Sequence, residues 1–263
     1  MTPPPYSFTF EPLFLVLGVL AALLYLRAAR SDRVPRRRVV AFSLGLLLVV
    51  AALNSPLETL AAHYLLVIHL LQNVMIADWA PLLLILGLTP AMRATVGRRG
   101  GHLLVLLARP KIALPVWLVG WYVIHLAGFY DFALRNPWAL NVEHIVLVAI
   151  GTLFWWPLFA SERLSTPLKL AYLAAGFVGS VFLGLALTFS GSPFYDYYTS
   201  VPRLWGLSAI EDQNLGGVLM SGEQALVFLA AISYFLVRLL KEEEEKERTL
   251  TARQQDEQAG DWL

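Results

Sequence analysis

The sequence predicts an all-α fold: a polytopic bundle of seven membrane-spanning helices, N-terminus outside and C-terminus cytoplasmic. Three observations predict it. Hydrophobic residues make up 57% of the 263, charged residues only 15%, and mean hydropathy is +0.61. A soluble domain is nearer ~45–50% apolar and ~25% charged. Seven apolar segments have about the length needed to cross a bilayer, ~20 residues each. Lastly, 18 of the 20 Lys and Arg residues fall on alternate connections between those segments, and basic residues favour the cytoplasm.

The segments are 13–29, 39–53, 60–86, 112–129, 138–159, 168–189 and 217–239. The opening MTPPPYSFTFEP has no Lys or Arg and so lacks the basic region of a secretory signal; the first segment is expected to be a retained span. Arg27, Arg30, Arg33, Arg36, Arg37 and Arg38 follow it. The second segment is short. The third contains Pro81, which predicts a kink. Arg93, Arg98, Arg99, Arg109 and Lys111 follow the third, Arg163 and Lys169 the fifth, and Arg238, Lys241, Lys246, Arg248 and Arg253 the last. Only Arg135 and Arg203 lie on the opposite side. Residues 190–214 form the longest outer loop, rich in Gly, Pro and aromatics suited to a membrane interface. The chain divides into a spanning domain, 1–240, and a charged cytoplasmic tail, 241–263, expected to extend the last span as a solvated helix. There are no cysteines, so thiolate metal sites and Fe–S clusters are excluded. A net charge of +1 gives no sign of nucleic-acid binding.

The third segment carries the chemistry: His63, His69, Gln72 and Asn73, then Asp78. Polar groups in a bilayer are costly and face protein or water, and residues 69, 72 and 73 share one helical face. The predicted topology puts His63 and His69 in the outer part of this span, His125 about 6 Å from the outer end of the fourth, and Asn141 and His144 in the first turns of the fifth. Four of the five histidines thus reach one depth near the outer face; His102 is cytoplasmic. Met220 and Glu223 enter on the last span, preceded by Asp212 and Gln213. Inward-pointing ligands on facing helices build metal sites in bundles, and three histidines with Met or carboxylate nearby suit copper or zinc.

Plainer readings stand beside this one. A lone intramembrane His often fixes helix packing by a hydrogen bond, and His63 suits an interface. Met75 and Met220 suit packing, while Trp155 and Trp156 suit an aromatic belt. Asp78 serves either a polar path or an ion pair with an arginine.

The stretches NSPLETL (54–60), His69–Gln72 with APLLLILG (80–87), Trp121 and His125 with YDFAL (130–134), Glu143–His144 with FWWPL (154–158), and LSAIEDQNLGGVLM (207–220) together resemble the polytopic CtaG family, assembly factors of caa-type cytochrome c oxidase. They are spread over residues 54–222. The resemblance implies seven spans in the plasma (inner) membrane and a non-enzymatic role in maturing a respiratory haem–copper oxidase. Terminal cytochrome c oxidase subunits are the implied partners, and copper handled at the outer face the implied cargo. His69, His125 and His144 match the family's histidines. Asn73 and Asn141 stand where a further His is usual. The expected copper ligands are therefore His69, His125 and His144. His63, Asn73, Asn141, Met220, Glu223, Asp212 and Gln213 are additional ligands or groups supporting them. The competing readings are a zinc-dependent seven-span lipid hydrolase with Glu143 or Asp212 as base, a metal-free structural partner of an oxidase, a bis-histidine haem protein, and an ion transporter.

Overall fold

In the computed structural model, which describes residues 2–161 and 164–260, all regular structure is helical. Arg163 and the last three residues of the tail, which figured in the sequence reading, lie outside the described residues. The helices are α1 (Pro12–Ser31), α2 (Arg36–Leu53), α3 (Pro56–His63), α4 (Leu66–Val74), α5 (Ala80–Gly87), α6 (Pro90–Arg99), α7 (Gly101–Leu107), α8 (Pro110–Ile124), α9 (Ala127–Arg135), α10 (Pro137–Phe159), α11 (Thr166–Phe189), α12 (Asp196–Ser200) and α13 (Ala209–Gly260). A π-helical turn, Met75–Trp79, joins α4 to α5.

Among the described residues, five units are long and apolar enough to cross a membrane: α1, the α4–α5 unit, α10, α11 and α13. The count becomes seven if two bent pairs are each one span, α2 with α3 (49°) and α7 with α8 (80°). Pro at the first turn suits α3, α6, α8, α10 and α11, since the missing N–H is one the helix leaves unpaired anyway. Ser55 caps α3 by accepting from Leu57 N (3.1 Å), and Thr89 caps α6 through Met92 N (3.2 Å).

The third apolar segment is not one helix from residue 60. It breaks at Tyr64 and Leu65, and His63 ends the preceding short helix α3. Leu65 cannot cap α4 with an apolar side chain. The cap arrives from the far end of the chain: Asp212 on α13 accepts from Leu66 N and Val67 N, both at 2.9 Å, and pairs with Arg203 Nη2 at 2.8 Å. A carboxylate at a helix N-terminus satisfies orphan N–H groups and complements the helix dipole.

The expected kink at Pro81 takes a different form. Proline has no N–H to give Ala77 O, four residues back. The backbone re-registers, with Ala80 N donating to Met75 O, a π-type closure. α10 packs against this turn, and a Cβ on Gly151 would come within 1.8 Å of Ala77 O. The glycine allows α10 to lie on the carbonyl that Pro81 leaves free. Gly184 similarly lets α11 approach α13, where a Cβ would meet Ser221 Oγ at 2.1 Å. Close approach through small residues is the usual basis of helix association in a bilayer.

α13 is a single helix from Ala209, eight residues earlier than expected, so Asp212 and Gln213 lie within it. It continues into the charged tail, where Arg238–Glu242 (2.8 Å) and Arg248–Glu244 (2.6 Å) are paired one turn apart. The main core cluster is built around Trp117, Trp121, Tyr130, Phe154, Trp155 and Phe228, with Tyr195 and Tyr198 reaching in from the loop after α11.

Candidate functional site

His69 on α4 and His144 on α10 are neighbours in the interior, each 1% exposed, with ring centroids 6.2 Å apart. Two metal–nitrogen bonds of ~2 Å plus the reach of each ring span a gap of this order. Glu143 Oε1 stands 3.9 Å from His69 Nε2. His125, buried as well, lies not within a helix but at the end of one, terminating α8. Tyr130, on α9, lies between it and His69, with ring centroids 5.6 Å from His125 and 5.0 Å from His69. Two of the three expected ligands therefore face each other directly, and the third faces them across a tyrosine. Among the described residues, no three His, Asp or Glu side chains stand close enough together, as placed, to hold a metal ion.

Hydrogen bonding fixes the tautomers of two rings. The Tyr198 hydroxyl donates its one proton to Ala61 O (2.5 Å). At His69 Nδ1, 2.8 Å away, it can then only accept, so that nitrogen carries the hydrogen. Burial, followed by the Asp212 carboxylate, pushes the Tyr198 phenol well above its ordinary pKa, so the donor stays protonated. His125 Nδ1 is 2.8 Å from Trp121 O, a pure acceptor, and must also be the protonated nitrogen. Both rings are left with a bare lone pair on Nε2. An acceptor on the far nitrogen is the arrangement that orients metal-binding imidazoles.

Those Nε2 atoms have no hydrogen-bond partner, and neither do both nitrogens of His144, Glu143 Oε1, Tyr130 Oη and the Asn73 amide. Buried polar atoms are nearly always paired. Here the orphans gather around His69. Imidazole nitrogens are foremost among them, and neutral imidazole is a ligand for borderline and soft cations.

The remaining expected residues divide. Asn73 is fully buried and approaches Glu143 without closing a hydrogen bond. Asn141 does not face the histidines; it donates to Glu11 Oε2 at 3.1 Å. His63 is half-buried on α3, beyond the break that starts α4. Met220 is a core residue. Asp212 caps α4. Gln213 holds the loop between α11 and α13, accepting from Phe194 N at 2.6 Å. Glu223 accepts from Trp79 Nε1, beside Asp78 in the π turn. Asp78 forms no ion pair with an arginine among the described residues. The groups behind the imidazoles are Tyr198 and the Trp121 carbonyl, in place of Asp212, Gln213 and Glu223. The aromatic outer loop carried a signal for Tyr198, but as an interface residue. YDFAL carried Tyr130 only as part of a motif.

A family model described as cytochrome c oxidase caa3 assembly factor matches residues 19–242. Uncharacterized proteins of Mycobacterium bovis and Mycobacterium tuberculosis are each 26% identical over 225 residues, covering 77% of this chain and 34% of theirs. An uncharacterized protein of Mycobacterium leprae is 24% identical over 230 residues, with shares of 78% and 34%. The chain thus spans about a third of the length of these curated relatives. No solved structure matches.

Proposed function

This chain belongs to the cytochrome c oxidase caa3 assembly factor family, and from that membership we propose that it carries copper at His69 and His144 for delivery to the oxidase. His125 completes the coordination when Tyr130 yields. The observation that carries this reading is the pair of hydrogen bonds that leave a bare Nε2 on His69 and His125. Few neutral nitrogen ligands in a dry interior suit a monovalent copper ion better than zinc, which takes four ligands in structural sites and three plus water in catalytic ones. A single positive charge also costs less to bury than a double one.

Each bent helix pair is taken as one span, giving seven crossings with the N-terminus outside. The Lys and Arg bias supports this orientation, and it sets the histidines near the outer face. The partners are the bilayer of the plasma membrane and the oxidase subunits that receive the metal. The chain has no cysteine, so single cysteines at Ser192 and Thr249 should label from opposite sides.

The test is elemental analysis of the purified protein after growth with added copper. About one copper per chain is expected, reduced to background in His69→Ala and His144→Ala and only partly in His125→Ala. Unchanged copper in all three variants would sink the assignment. Zinc in place of copper would favour the hydrolase reading. No metal in the wild type would favour a purely structural partner.

A further inference from the structure

A second polar group lies deeper in the membrane core. Its position follows from helix register. Asp212 on α13 caps α4 at Leu66 and Val67, pinning the two helices together at one level. They pack against each other from there. Asp78 lies twelve residues past Leu66 and Glu223 eleven past Asp212. At ~1.5 Å per residue both sit some 17–18 Å below the cap and about 13 Å beyond His69. The two carboxyls are brought to one level there: Trp79, the neighbour of Asp78, donates its indole N–H to Glu223 Oε1, while both oxygens of Asp78 and Oε2 of Glu223 are buried without a hydrogen-bond partner.

Both groups are buried, Asp78 at 0% and Glu223 at 8% exposure. Of the elements packed around the π turn, α2, α4, α5 and α10, α10 brings Trp155 beside Asp78, its fully buried indole N–H without a hydrogen-bond partner. No lysine, arginine or histidine pairs with either carboxyl among the described residues. Two adjacent carboxylates cannot both stay ionised in a low-dielectric core without a cation. The surroundings also select the cation. An indole N–H only donates and cannot ligate a metal, so the groups aimed at these oxygens suit a carboxylate or carboxylic acid and oppose a metal ion.

We propose that Asp78 and Glu223 form a proton-binding site in the membrane core, the two carboxyls sharing one proton under the indoles of Trp79 and Trp155. The site is separate from the histidines and does not depend on the copper reading. The bound proton lowers the charge of the pair from −2 to −1, and the two indole donors stabilise what remains.

Infrared spectroscopy of the full chain in lipid nanodiscs at neutral pH tests this. A protonated-carboxyl C=O band is expected that shifts when either aspartate or glutamate carboxyls carry heavy carbon, a readout that needs no variant. The Asp78→Asn/Glu223→Gln double variant should lose it. Each single substitution should move it, because the remaining acid no longer shares its proton; Trp155→Phe should also move it. Glu143→Gln should leave it in place. A wild type without such a band, a band insensitive to one of the two labels, or one unchanged in a folded double variant would overturn the proposal.

Discussion

Tyr198 decides which nitrogen of His69 is free. Its hydroxyl gives its proton to Ala61 O and accepts from Nδ1, so Nε2 faces Glu143 and His144 with its lone pair exposed. The tyrosine belongs to a five-residue helix in the loop between α11 and α13, yet it sets the chemistry of a histidine in the interior.

Tyr198→Phe keeps the ring and removes the acceptor. Copper affinity, measured by competition with a chelator of known strength, should fall about 10–100-fold, the usual effect of losing the group behind a ligand. His69→Ala in the same assay should remove binding altogether. Equal affinity for Tyr198→Phe and wild type would mean that the tautomer is fixed by something else.

The two asparagines at usual histidine positions should behave differently. Asn73 is buried beside Glu143, so Asn73→His should raise copper content above the wild type, at a packing cost of about 1–3 kcal/mol. Asn141 is turned toward Glu11, so Asn141→His should leave copper content unchanged. Elemental analysis of both variants checks this.

Asp212→Ala should destabilise the fold by about 2–4 kcal/mol, because Leu66 N and Val67 N lose a charged cap. Asp212→Asn retains part of the cap and should cost about half as much. Thermal unfolding in detergent reads both. Copper binding should weaken too, since α4 carries His69.

Gly151→Ala should prevent α10 from seating on the π turn, where its Cβ would overlap Ala77 O. Overpacking of this kind costs about 1–3 kcal/mol or more. A lower midpoint of unfolding is expected, with weaker copper binding because His144 is on α10. An unchanged midpoint would show that α10 can shift without loss.

The apolar runs and the basic residues between them carry the helical architecture in plain view, because hydropathy and charge act locally. The break at Tyr64 and Leu65 does not show in the local sequence, since the group that stabilises it is 146 residues away. The π turn is half legible: Pro81 announces a fault in the hydrogen-bond ladder but not its form. His69 and His144 were brought to one depth by counting residues along spans. Counting also puts His125 inside a helix that in fact ends on it, and groups Asn141 with the histidines although its amide is turned to Glu11. Rotation about a helix axis is set by tertiary packing, which counting cannot supply. Tyr130 stands in the cluster for the same reason and gave no signal of its own beyond its motif.

The 52 residues of α13 run without a break from Ala209, just before the aspartate that caps α4, past Glu223, to a charged end with Arg238–Glu242 and Arg248–Glu244 pairs along its side. An unbroken helix is a stiff rod, and a push or twist applied at one end is felt at the other. A protein that grips the tail thereby has a mechanical hold on Asp212, and through it on the turn that presents His69. The turn that presents His69 can then answer to an event at the tail, with no message carried except leverage.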